Sequence, residues 1–119
     1  WSDCKELINY GMTIGSHTKS HQRLSRLSPN ESYLELRDSK NEIENKLGIS
    51  CRHFCAPYGL IGKDLDLSLH GELAKKLGYV SLSTSNRGIN GVGSSPFSIL
   101  RDHLLANWEN QQLKYFFSN

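Results

Sequence analysis

The feature that most restricts the fold of this chain is one strongly marked helix in its first half. Residues 28–48, SPNESYLELRDSKNEIENKLG, place Ser28 three residues before Glu31, the spacing of a capping box, with proline at the first helical position. Gly48 suits the left-handed residue that ends many helices. Tyrosine, leucine and isoleucine recur on one face, so the sequence predicts an amphipathic helix that packs on another layer.

Stretches with strand character alternate with helical ones along the rest of the chain. MTIGS, CRHFCA, YVSLSTS and FSIL read as strands, and further helices are predicted over residues 2–10, near 66–77 and from Asn107. This alternation is typical of a parallel sheet with helices packed on it. The chain has 119 residues, whereas a complete (β/α) barrel needs about 250. We therefore predict a single, incomplete α/β domain over residues 1–119, with its first strands missing.

Two histidines four residues apart, His17 and His21, directly follow the first strand-like stretch. Imidazole nitrogen is a preferred zinc ligand, and two histidines at this spacing on a helical turn converge on one ion. The carboxyl end of a strand is also where α/β folds place their sites. The same spacing occurs on ordinary surface turns, so the pair alone leaves both interpretations open.

The surroundings of this pair resemble a known family. IGSHTKSHQRL, residues 14–24, is similar to a signature block of the polysaccharide deacetylase family, which has the NodB-homology domain and includes carbohydrate esterase family 4. FCAPYG, residues 54–59, resembles the family's substrate-groove motif. GYVSLSTSNRGINGVGSSPFSILRDHL, from Gly78 onward, resembles its late strands. Three blocks in the family's order indicate membership.

The resemblance implies a partial (β/α) barrel of the NodB type and a metal-dependent hydrolase that removes N-acetyl groups from an N-acetylated polysaccharide. The family's metal is usually zinc, and His17 and His21 would be two of its three protein ligands. The backbone N–H of Tyr58 would help to hold the oxyanion. Pro57, Tyr58 and Gly59 would contact the substrate.

The family places a general-acid histidine, or another basic residue, on its last strand. Here His103 and Arg101 lie two residues apart and would share one face of that strand. An ordinary surface charge is the alternative for each of them. His70, among leucines of the third predicted helix, is expected to be half-exposed and to have no metal role.

This sequence also departs from the family pattern. The family's Asp-Asp pair, which supplies the third metal ligand and the general base, does not occur here, so we expect an upstream segment to be missing. Cys55 stands where many members carry an arginine that orients the base. Cys51, His53 and Cys55 alternate and could form a second metal site, or they could be buried thiols beside an incidental histidine. The alternatives to an enzyme are an inactive fragment and a non-catalytic glycan-binding or structural module.

Composition narrows the possible partners. Fourteen basic and 12 acidic residues give a net charge of +2, which is too balanced for a nucleic-acid-binding surface. No apolar run approaches the ~18 residues that span a bilayer. The substrate class implied by the resemblance favours the cell envelope or the exterior, although nothing else in the sequence fixes a compartment. An unpaired edge on the strand at MTIGS predicts self-association.

Overall fold

A computed structural model describes residues 1–103 and 107–118, with the side chains of 115–118 left undescribed. The predicted capped helix is confirmed as α2, Pro29–Leu47. The Glu31 N–H donates to Ser28 Oγ and the Ser28 N–H donates to the Glu31 carboxylate, so both halves of the capping box form. Gly48 follows with φ +68° and closes the helix, as expected.

The sheet is parallel, as predicted, but its strands are short. Strand β1, His53–Cys55, pairs with β2, Ser81–Ser83, so that Phe54 lies beside Leu82. Ser16 adds a single parallel bridge to β1 on one side, and Ile99 adds one to β2 on the other. The four segments therefore lie side by side in chain order.

The strands expected at MTIGS and FSIL are thus reduced to single bridged residues. The Ser16 N–H donates to His53 O, and the Ser16 carbonyl accepts from the Cys55 N–H. Because β1 has only three residues, these are the backbone groups that it presents on that side. This parallel arrangement is an α/β fold, and four segments make an open sheet. Closure into a barrel stays a prediction.

Besides α2, the described residues form three α-helices, a π-helical turn and a short 3₁₀ helix at Leu24–Arg26. Helix α1 spans Ser2–Asn9 and has no buried residue. The helix predicted near 66–77 is a π-helical turn, Leu67–Gly71, continued by α3, Glu72–Lys76. The last helix, α4, is Asn110–Ser118 and begins three residues later than predicted. No helix in the described part of the chain has the length and apolar character needed to cross a bilayer.

The core lies between α2 and one face of the sheet. Leu36 and Ile43 of α2 are buried there with Phe54 and Leu82. The Tyr79 hydroxyl donates to Leu36 O at 2.9 Å, and its burial raises the pKa of this phenol. This packing holds the carboxyl ends of the parallel segments together on one edge.

His70 also belongs to this interior, contrary to expectation, and is only 2% exposed. The π-helical turn directs its ring toward α2, where Nε2 lies 3.3 Å from Ser32 Oγ. Nδ1 lies 2.9 Å from both the N–H and the carbonyl oxygen of Asp66. The ring is therefore a satisfied buried polar group rather than a surface residue.

Candidate functional site

The two histidines of interest lie on residues 17–21, here called the histidine loop, which follows Ser16 at the carboxyl edge of the sheet. The loop is not the helical turn that the spacing suggested, because Thr18 and His21 have φ of +66° and +59°. The His21 N–H donates to Thr18 Oγ1 at 3.1 Å. The imidazole centroids of His17 and His21 lie 4.8 Å apart, with the rings inclined at 64°. The structure therefore brings the two rings together by a different backbone route.

The tautomer of the neutral His17 ring follows from its neighbour in the sheet. Its Nδ1 lies 2.7 Å from Cys55 O, the carbonyl at the end of β1. A carbonyl can only accept, so Nδ1 carries the proton and the neutral ring keeps its lone pair on Nε2. This is the usual arrangement of a metal-binding histidine, whose second nitrogen donates to a carbonyl or carboxylate.

The second predicted element, Pro57-Tyr58-Gly59, forms a tight turn directly beyond β1. Tyr58 has φ +61° and Gly59 has φ +72°. A Cβ on Gly59 would lie 3.0 Å from both Ala56 O and the Ser85 nitrogen, so the turn has no room for a side chain there. No hydrogen bond joins the Tyr58 N–H to any other described residue.

Left-handed backbone at residues other than glycine is concentrated at this edge of the sheet. Across residues 1–103 and 107–118, the non-glycine residues with positive φ are Thr18, His21 and Tyr58. Such conformations cost about 1–3 kcal/mol each and persist where the surroundings determine them. Their restriction to the two predicted motifs marks this edge as the candidate site.

The Tyr58 side chain connects the two motifs. Its ring centroid lies 5.4 Å from that of His21, and the guanidinium carbon of Arg23 lies 4.0 Å above the ring. Arg23 forms an ion pair with Asp64, whose other carboxylate oxygen accepts the Leu60 N–H at 3.1 Å. The buried carboxylate thus stabilises both the cation on Tyr58 and the chain that leaves the turn.

Sequence reasoning missed the Arg23–Asp64 pair. Asp64 looks like an isolated loop carboxylate in the sequence, yet it is only 4% exposed. The 41 residues that separate it from Arg23 leave no local pattern by which the pair could have been found.

A cavity of about 420 Å³ opens beside the histidine loop, lined by His17, Cys55, Ser83 and Arg101 among others. Arg101 Nε donates to Thr84 O at 2.7 Å, which fixes the guanidinium at the cavity wall. Residues 101–103 do not form the predicted strand, although the Arg101 N–H donates to Asn86 O at 2.9 Å. His103 is exposed and does not line this cavity, so the structure brings only Arg101 beside His17.

The donor set at this edge fits a zinc ion in part. Two imidazoles, one with its tautomer set by Cys55 O, could supply two of the nitrogen donors that zinc takes. Within the described residues, no group of three or more His, Cys, Asp or Glu side chains could hold a metal ion. Among the described residues, the donors at this edge are therefore fewer than the three protein ligands that the family resemblance implies.

The alternative metal site at Cys51, His53 and Cys55 does not form. Cys51 is fully buried before the start of β1, and burial raises the pKa of its thiol. His53, in contrast, is exposed, and its Nδ1 lies 2.8 Å from Ser81 Oγ. All three cysteines of the chain are free, and the buried-thiol interpretation describes Cys51 well.

Comparisons with known proteins point to one family. The family model described as polysaccharide deacetylase matches residues 1–82. A comparison with curated proteins finds no match.

Among solved structures, the chain is similar to deacetylase PplD of Streptococcus pyogenes in complex with acetate, with a TM-score of 0.82 and 25% identity. That match covers 96% of this chain and 48% of PplD. IcaB from Ammonifex degensii matches with a TM-score of 0.74 and 20% identity over 98% of this chain and 52% of its own. The BpsB deacetylase domain from Bordetella bronchiseptica matches with 0.71 and 17%, over 85% and 47%. The chain thus spans about half the length of these proteins.

Proposed function

This chain belongs to the polysaccharide deacetylase family, and we propose that it forms the later part of a metal-dependent hydrolase domain that removes N-acetyl groups from an N-acetylated polysaccharide. Because the chain covers about half of the solved deacetylases, the activity is proposed for the domain to which it contributes. PplD was solved with acetate, which is the acid that hydrolysis of an acetamide releases.

The observation that carries the proposal is the hydrogen bond from His17 Nδ1 to Cys55 O at 2.7 Å. It leaves the Nε2 lone pair of His17 available, with the His21 ring 4.8 Å away. We assign His17 and His21 as two protein ligands of a divalent metal, for which imidazole nitrogen favours zinc. When bound, such an ion lowers the pKa of its water and polarises the substrate carbonyl.

The turn at Pro57-Tyr58-Gly59 is assigned to the substrate. The Tyr58 N–H, which bonds to no other described residue, would donate to the oxygen on which negative charge develops. Its side chain is 51% exposed beside His21 and is accessible to a sugar residue. Pro57 and Gly59 fix this turn and would contact the polymer through it.

His103, with Arg101 as the alternative, is the candidate for the family's basic position late in the domain. Arg101 lines the cavity beside His17, and its guanidinium would stabilise negative charge there, since arginine keeps its proton throughout the ordinary pH range. His103 is the candidate proton donor to the departing amine, because imidazole titrates near neutrality. His103 is exposed in this chain and does not line the cavity beside His17. We therefore propose that it acts only in the complete domain.

A non-catalytic glycan-binding module is the second candidate. It is favoured by one observation, the incomplete ligand set among the described residues. Two imidazoles alone hold zinc weakly and provide no carboxylate as general base.

Zinc titration of this chain by calorimetry, followed by an assay for acetate release from an N-acetylated oligosaccharide, tests the proposal. We expect one zinc per chain, with binding lost in the His17→Ala, His21→Ala double variant. Zinc binding without acetate release would favour the second candidate or an inactive fragment. Absence of zinc binding in the unmodified chain would overturn the metal assignment.

A further inference from the structure

Helix α2 contacts the histidine loop through one carboxylate. Glu35 Oε2 accepts the N–H of Lys19 at 2.9 Å and that of Ser20 at 2.8 Å. Glu35 Oε1 accepts the Ser20 hydroxyl at 2.7 Å. Three hydrogen bonds therefore join one side chain of the helix to the two residues in the middle of the loop.

These bonds act where the loop is most constrained. Lys19 and Ser20 lie between Thr18 and His21, both of which have left-handed backbone. Hydrogen bonds to an ionised carboxylate are shorter and stronger than neutral ones. Because Glu35 is on a rigid helix whose neighbouring residue Leu36 is fully buried, it anchors the loop to the core.

We propose that Glu35 is a positioning residue that holds His17 and His21 in their metal-binding arrangement through Lys19 and Ser20. This inference rests on the proposed function, because it assigns a role toward the metal. Among the described residues, the hydrogen bonds of Glu35 go to Lys19 and Ser20 and not to either imidazole, so its effect on the metal would be exerted through the loop.

The same helix offers a matched control. Glu42, two turns further along α2, forms an ion pair with the Lys19 ammonium group. That pair joins two partly exposed side chains, 49% and 37% exposed, and makes no bond to the loop backbone. Exposed pairs of this kind contribute little. Glu42 therefore separates the effect of charge near the loop from that of backbone positioning.

The experiment measures zinc affinity by calorimetry on the whole chain and on its Glu35→Ala, Glu35→Gln, Glu42→Ala and Glu42→Gln variants. We expect Glu35→Ala to weaken binding by about 10–100-fold, the range for residues that orient metal ligands. Glu35→Gln should recover part of this loss, because its amide oxygen can accept both N–H groups and its NH₂ can donate to Ser20 Oγ. Both Glu42 variants should stay within about threefold of the unmodified chain.

Two results would overturn the inference: unchanged zinc affinity in Glu35→Ala, or equal losses in the Glu35 and Glu42 variants. If Glu35→Ala does not fold, Glu35→Gln and Ser20→Ala decide instead, since each is expected to lower affinity while preserving the far-ultraviolet circular dichroism. Unchanged affinity in both would also overturn it.

A measurement without metal separates this inference from the proposed function. In the metal-free chain, nuclear Overhauser contacts between the His17 and His21 rings should be lost in Glu35→Ala and retained in Glu42→Ala. If the unmodified chain binds no zinc, the metal assignment fails, and these ring contacts still decide whether Glu35 positions the loop. Retained contacts in Glu35→Ala would contradict the positioning role.

Discussion

The histidine loop and the turn that carries His70 show how differently two polar pairs with the same spacing are used. His17 and His21 are four residues apart at the exposed edge of the sheet, and their rings contact each other. Asp66 and His70 are also four residues apart, but their hydrogen bonds lie between the Asp66 backbone and the buried ring. Spacing is the same, and location in the fold decides the role.

His70 and His17 differ in how many of their ring nitrogens have a hydrogen-bond partner. Both nitrogens of His70 have a partner within hydrogen-bond distance, and its burial lowers the pKa of the imidazole. His17 has one nitrogen committed to Cys55 O and the other available. A histidine with one orienting bond suits a ligand site, whereas one with two suits a core.

Of the variants that test this comparison, replacement of the two loop histidines should have the largest effect, measured as zinc affinity. The His17→Ala, His21→Ala double variant is expected to lose zinc affinity by more than the ~100-fold that orienting residues provide, because both ligands are removed. A His70→Gln variant should bind zinc like the unmodified chain, since His70 lies in the core. Calorimetric titration of the three proteins checks this, and loss of zinc binding in His70→Gln would break the distinction between the two regions.

The next largest effect is expected at Asp64, which lies between these regions in the sequence and is buried. Its carboxylate pairs with Arg23 after the loop, and its backbone oxygen accepts the Ser25 N–H. Asp64→Ala should lower the free energy of unfolding by about 2–3 kcal/mol, below the 3–5 of fully buried pairs, because the Arg23 side chain is 29% exposed.

Urea denaturation measures the Asp64 effect against a control on the surface. Asp38 pairs with Arg37, and both side chains are more than 40% exposed. Asp38→Ala should therefore change the free energy of unfolding by less than about 1 kcal/mol. Equal losses in the two variants would show that burial of Asp64 does not set its contribution.

Gly59→Ala tests how strictly the turn at Pro57-Tyr58-Gly59 requires a glycine. With φ +72° and two backbone atoms 3.0 Å from the new Cβ, we expect a loss of about 2 kcal/mol in the free energy of unfolding. Gly91→Ala is the control, because nothing lies within 4 Å of its Cβ position. Thermal or urea denaturation that ranks the two variants equally would contradict the close approach seen here.

The smallest expected effect is the pH dependence due to His70. Its folded pKa lies below the ordinary value of 6.5, so the unfolded chain binds more protons as the pH falls through that value. The free energy of unfolding is therefore unaffected by the titration of this group above pH 6.5. As the pH falls from 6.5 toward the folded pKa, it decreases by at most about 1.4 kcal/mol per pH unit. Urea denaturation between pH 7.5 and 5 should show a smaller decrease for His70→Gln, and an unchanged slope would refute this origin.

Much of the secondary structure could be predicted because its determinants are local. The capping box of α2 joins residues three apart, and Gly48 ends the helix through its own backbone preference. The parallel pairing of the strands was also predicted correctly, although the strand lengths were not. A strand pairs only as far as its neighbour does, and three-residue β1 limits the bridge at Ser16.

For the candidate site, the sequence supplied candidate residues but not their arrangement. The motif residues His17, His21 and Tyr58 could be named from the sequence, and the rings do lie close together. Their left-handed backbone, the orientation of His17 by Cys55 O and the burial of His70 could not.

Residue types and their short-range spacing were enough to predict the family, helix α2 and the candidate ligands. The family was predicted from short sequence motifs, and the helix from contacts between residues a few positions apart. The tertiary structure alone selected the partners that position them: Asp64 for Arg23, Glu35 for the histidine loop and Cys55 for His17. Each of these pairs joins residues at least 15 positions apart. Such contacts form only when packing of α2 on the parallel strands brings distant segments to one edge of the sheet.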